Sequence, residues 1–128
     1  MAYLIDTNVA IHLRDRDPDI VAKITDLGEE LIMSVMTRVE LEGGVYSDPV
    51  RSALRRPRVD TILRTIPALP FDDAAADIYR SILEAVGYSR RKVIDRMIAA
   101  QAIAHQATLV TLNGDDFKDV PGLKLLAW

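Results

Sequence analysis

Five short apolar runs alternating with helical stretches constrain this chain more than any other feature. The runs fall at 2–5, 31–33, 69–71, 108–111 and 123–126. Each reads as a short buried strand, and between them lie segments whose apolar residues recur at helical spacing. Strands alternating with helices make an α/β protein: a mostly parallel sheet of about five strands, covered by helices on both faces.

Local signals set the boundaries. The first helix spans 7–14. A second starts at Pro18 with Asp17 as its cap and stops at Gly28. A third begins at Val35 or Met36 and ends near Gly43-Gly44. Asp48 and Pro49 start a fourth, which Pro57 breaks or kinks. Asp72 or Asp73 caps a fifth that reaches Val86 and ends at Gly87. The strongest helical signal covers 93–106, where Ile94, Met97, Ile98 and His105 repeat at helical intervals and four alanines allow close packing. Asn113-Gly114 and Pro121-Gly122 are turns, the first followed by one short helical turn.

With 128 residues the chain makes one domain with one real core. No apolar run is long enough to span a membrane, and the N-terminal segment is too short and lacks the basic lead of a signal peptide. There is no cysteine, which removes disulfides and thiolate metal sites; a cytoplasmic protein is the expectation. The net charge of −3 argues against binding nucleic acid through overall charge. Positive charge is nevertheless clustered, at Arg51, Arg55, Arg56, Arg58 and Arg64 and again at Arg90-Arg91-Lys92. Such runs are either solvated helix faces or places that hold phosphates.

Acids fall at the ends of the strands, where open parallel sheets place their chemistry. Asp6 ends the first. Glu40 follows the second and, on a helix, shares a face with Met36 and the two glycines, while Glu42 points elsewhere. Thr37 and Glu40 also have the spacing of a capping box, so both readings of Glu40 stand. Asp95 lies in the first turn of the alanine-rich helix, either as a functional acid or as a complement to the helix dipole. Asp115 and Asp116 follow the fourth strand. Carboxylates gathered at one sheet edge repel unless a cation neutralises them or some take up protons. Oxygen ligands alone suit Mg²⁺ or Mn²⁺, ions that activate water against phosphodiesters.

The chain resembles the PIN-domain ribonucleases, and within them the VapC toxins of VapBC toxin–antitoxin pairs. The resemblance runs nearly end to end. It rests on Leu4-Ile5-Asp6-Thr7-Asn8-Val9, on Ser34 through Thr37-Arg38-Val39-Glu40-Leu41 to Gly43-Gly44, on Asp95-Arg96-Met97-Ile98-Ala99-Ala100 with Ala104-His105, and on Leu109-Val110-Thr111-Leu112-Asn113 with Asp116-Phe117. The ending from Val120 to Trp128 is similar too. The resemblance implies a PIN-like three-layer sandwich over 1–128 and an endoribonuclease that uses Mg²⁺ or Mn²⁺ on structured RNA, tRNA or rRNA. It implies Asp6, Glu40, Asp95 and Asp116 as catalytic and metal-binding acids, with Asp115 a rival to the last, and Thr7 and Asn113 as supporting residues. It further implies a homodimer, a VapB-type antitoxin as partner, and operator DNA reached only through that antitoxin.

The chain departs from the family pattern at two places. Val93 stands where relatives often carry an extra acid, and Arg90-Arg91-Lys92 replaces a Gly or Pro approach to the helix, offering phosphate contacts for RNA. His12 and His105 read as packing or surface residues, and Arg38 as a weaker contact for partner or phosphate. Two rival readings remain: a haloacid-dehalogenase-like phosphatase, which wants an acid where Asn8 stands, and a non-catalytic PIN-like binding module.

Overall fold

The strands are short and apolar because both faces of the sheet are covered. In the computed structural model, which describes residues 2–128, they are β1 (Tyr3–Ile5), β2 (Leu31–Ser34), β3 (Ala68–Leu69), β4 (Thr108–Thr111) and β5 (Lys124–Ala127). All four pairings are parallel, in the order β3-β2-β1-β4-β5. The sheet is thus wholly parallel, and the first strand made is its centre. Ile5 pairs in register with Met33 on one side and Val110 on the other, so β1, β2 and β4 end level with one another.

Alternation along β1 divides the interior in two. Leu4 points to a core shared with Ile82, Ile98, Ala99, Leu109 and Phe117. Ile5 points to a second core with Val9, Ile20, Met33, Leu41, Val59 and Val110. The first lies under α5 (Asp73–Val86) and α6 (Val93–Ala104). The second lies under α1 (Thr7–Arg14), α2 (Pro18–Leu27), α3 (Val35–Ser47) and α4 (Ser52–Thr65). This is the three-layer sandwich expected from the pattern.

Most helix ends follow their local chemistry. The Asp17 carboxylate accepts from the Asp19 backbone N–H at 3.0 Å with Pro18 in the first turn, and α2 closes on Gly28 in the left-handed region. Asp72 accepts from the Ala75 N–H at 2.9 Å to start α5. Two punctuation signals misled. Gly43-Gly44 does not end α3, which continues to Ser47 and buries Val45. Gly44 is there for proximity: a Cβ on it would lie 2.8 Å from Nη1 of the buried Arg14. Nor does Pro57 break α4, since Val59 and Ile62 anchor the helix in the core just beyond it. That helix also starts later than Asp48-Pro49, which form a turn before Ser52. The third strand is Ala68–Leu69 rather than 69–71, and α6 ends at Ala104.

Candidate metal centre

Each strand end delivers a polar group to the same edge. Asp6 follows β1 and begins α1, where its Oδ1 accepts from the Thr7 backbone N–H at 2.8 Å. Its Oδ2 accepts from the Thr111 hydroxyl, at the end of β4, at 2.9 Å. Glu40 comes from α3. No capping box forms with Thr37: Ser34 caps α3, accepting from the Met36 N–H at 3.1 Å, and Thr37 instead meets the Thr7 hydroxyl at 2.9 Å. Glu42 turns away to Arg56 at 3.1 Å. Asp95 stands in the first turn of α6, which runs down to β4 and so starts at the strands' carboxyl edge. Asp116 ends the 3-10 turn Gly114–Asp116 that follows β4.

These four acids line one cavity of about 240 Å³, with Thr7, Asn8 and Asn113 as further polar groups and Ile94, Ile98 and Phe117 as apolar wall. Asp115 does not reach it; it is exposed and pairs with Lys118 at 3.5 Å. Of the two adjacent acids, the turn aims Asp116 at the cavity. His12 pairs with Asp17 at 3.4 Å and His105 is exposed at the end of α6, both away from the acids.

The electrostatics of the cavity are those of crowded carboxylates. Burial is the largest influence on Asp6 and raises its pKa; its two hydrogen bonds oppose that rise and Asp116 adds to it. Burial, then the charge of Asp6, raises Glu40. Asp95 is pushed up to about 6, by burial first and then by Asp6, Asp116 and Glu40, with Lys92 pulling the other way. In each of these three the charged form is disfavoured, a cost that a bound cation would offset. Among the described residues, no three such side chains are already drawn together as a closed ligand cluster. The donors fit a hard divalent cation in kind, being oxygen only.

Two residues at this edge were given no part in the site from the sequence. Thr111 and Thr37 are fully buried, yet polar. The Thr111 hydroxyl donates to Asp6 and also accepts from the Asn113 backbone N–H at 3.0 Å, tying the first acid to the turn that carries the last. A threonine directly after the apolar pair Leu109-Val110 was the only signal available. Thr111→Val, which keeps the shape and removes the hydroxyl, is expected to weaken Mn²⁺ binding roughly 10- to 100-fold, as removal of an outer-sphere partner does. Thr111→Ser should retain it. Calorimetric titration with Mn²⁺ checks both.

Comparison with known proteins agrees with this architecture. The PIN domain family profile matches residues 3–123. The chain is 29% identical over 134 residues to Ribonuclease VapC2 of Rickettsia felis, covering 100% of this chain and 98% of that protein. It is 31% identical over 133 residues to Ribonuclease VapC1 of the same organism, covering 98% and 96%. Among solved structures, it superposes with a TM-score of 0.86 and 28% identity on a chain of the VapBC2 structure from Rickettsia felis, described as bound to a DNA fragment from their promoter, covering 100% of this chain and 99% of that one.

Proposed function

The chain belongs to the PIN-domain family, in its VapC branch, and from that premise we propose that it is a metal-dependent endoribonuclease toxin. Its substrate is structured RNA, of the tRNA or rRNA kind. One observation carries the reading: Asp6, Glu40, Asp95 and Asp116, from four separate segments of chain, line a single cavity at the carboxyl edge of the parallel sheet. A structural role for four acids would not bring them together, because their proximity costs free energy.

Asp6, Glu40 and Asp95 would hold Mg²⁺ or Mn²⁺, with Asp116 completing the set. When bound, the ion supplies a Lewis acid for a phosphate oxygen and lowers the pKa of a water nucleophile. The remaining work belongs to the chain. Thr111 and the Thr7 N–H fix the Asp6 carboxylate. Thr7, itself held by Thr37, and Asn113 line the cavity as supporting polar groups. The buried Ile98 and Phe117, with the exposed Ile94, form the apolar part of its lining. Of the basic run that leads into α6, Arg90 and Arg91 meet RNA phosphates, while Lys92 is engaged by Asp119.

The partner that restrains this activity is a VapB-type antitoxin, and operator DNA is reached through it, as the similarity to the promoter-bound VapBC2 structure supports. The toxin itself pairs as a homodimer. No helix among the described residues is long and apolar enough to cross a membrane. The phosphatase reading loses ground because Asn8, not an acid, faces the cavity beside Asp6.

The test is cleavage of a tRNA and an rRNA fragment by purified protein with Mn²⁺, with EDTA, and with Asp6→Ala. Internal cuts that need both the ion and Asp6 are the expected result. Equal cutting by the wild type and Asp6→Ala would remove the site. Binding of a VapB-type protein with no cutting of any RNA would leave a non-catalytic module.

A further inference from the structure

The turn between α5 and α6 is built as a rigid platform at the edge of the acidic cavity. Two of its cations are tied down. Arg96 is buried, and its Nη1 donates to the Gly87 carbonyl at 2.7 Å while its Nη2 reaches Asp119 at 3.4 Å. Lys92 joins the same carboxylate at 3.8 Å. The 3-10 turn Arg90–Lys92 is closed by the Lys92 N–H donating to the Ser89 carbonyl at 3.1 Å. It passes directly into the helix turn that carries Ile94 and Asp95 on the cavity wall.

Other side chains of the turn are exposed. Tyr88 is 71% exposed, and Arg90 and Arg91 are exposed as well. Among the described residues, neither arginine side chain has an ion pair or hydrogen bond. The two neighbouring cations, Lys92 and Arg96, are both spent on Asp119. An aromatic ring held on a braced turn next to two unpaired guanidiniums is the combination that binds single-stranded nucleic acid. Bases stack on the ring and the cations track the backbone. The cavity itself, lined by four acids, repels phosphate and needs such a counterweight beside it.

We propose that residues 88–91 form a landing platform for single-stranded RNA, in which the Tyr88 ring stacks on an unpaired base while Arg90 and Arg91 hold the phosphates flanking it. This rests on the ribonuclease reading and adds a requirement to it: the strand must present an unstacked base next to the scissile bond. A fully paired stem cannot satisfy it, whereas a loop can.

The test uses full-length protein carrying Asp95→Asn, so that RNA is bound without being cut, and reads fluorescence anisotropy of a labelled single strand. The control strand has the same length and phosphates but abasic riboses. The base-bearing strand should bind about tenfold tighter than the abasic one. Tyr88→Ala should erase that difference and Tyr88→Phe should preserve it. Replacing Arg90 and Arg91 with alanine should weaken both strands alike and make the salt dependence shallower by about 1.4 in the log–log slope, the amount for two single-strand phosphate contacts. Tyr88 is exposed, so these variants fold. A difference between strands that survives Tyr88→Ala overturns the proposal. So does a loss confined to antitoxin binding, or failure of the base-bearing strand to bind. Should the pattern hold while wild-type protein with Mn²⁺ cuts nothing, the platform stands and the ribonuclease reading falls.

Discussion

Asp95→Asn should cut RNA more than about 100-fold more slowly than the wild type and, without divalent ion, should be the more stable protein. The activity loss follows from the proposed role of Asp95 as a ligand of the ion, whose removal costs more than the roughly 10- to 100-fold of an outer-sphere partner. The stability gain follows from the crowding that pushes Asp95 up to about 6. In the unfolded chain its pKa is near 4. Between those values the folded state binds more protons than the unfolded one, so stability falls as pH rises through this window. Above pH 6 the whole penalty is present; below pH 4 it is gone. Asp95 is partly exposed, and after allowance for solvent screening the penalty is on the order of 1 kcal/mol, about 3–5 °C in Tm for a chain of this size. Thermal melts in EDTA at pH 4.5 and pH 7.5 measure it. The wild type should lose more stability than Asp95→Asn across that interval, and Mn²⁺ should restore the wild type far more than the variant. Identical pH profiles for the two proteins would show that Asp95 is not crowded.

Phe117→Ala should carry the largest stability cost of any single side chain at the site. Phe117 is fully buried against Leu4, Ile98 and Leu109. It also walls the acidic cavity and directly follows Asp116. Truncating a buried phenylalanine costs about 3–5 kcal/mol through lost transfer energy and the space left behind. Urea unfolding should show a lower midpoint with an unchanged slope. Phe117→Leu fills most of the volume and should cost about 1–1.5 kcal/mol. The alanine variant should also bind Mn²⁺ more weakly at temperatures where it is fully folded, because the turn holding Asp116 rests on this ring. Equal Mn²⁺ affinity in the folded variant would separate the ring's packing role from the site.

The acids were legible because their chemistry is local. A carboxylate at a strand end can be seen without knowing the fold, and the parallel arrangement follows from the alternation of elements. Thr111 and Thr37 could not be read that way. Their meaning lies in partners 105 and 30 residues distant, Asp6 and Thr7. Gly44 shows the opposite failure. It carried a strong local signal, a helix stop, and that signal was overruled by the guanidinium packed against it. Choosing Asp116 over Asp115 likewise needed the three-dimensional course of one short turn, since both acids sit in the same local context.

The central place of β1 has a consequence for how the protein comes into being. Its partner β4 is translated after four-fifths of the chain, and the pairing of Tyr3 with Thr108 closes a very long loop. Such non-local pairing is slow to form and cannot be anticipated by the N-terminal half alone. On the ribosome, the first carboxylate waits without its hydroxyl partner until Thr111 has emerged from the exit tunnel. The four acids therefore cannot line one cavity in a nascent chain that stops short of Asp116. A cell making this protein meets its nuclease only as a finished molecule, with the whole time of synthesis available for an inhibitor to be in place.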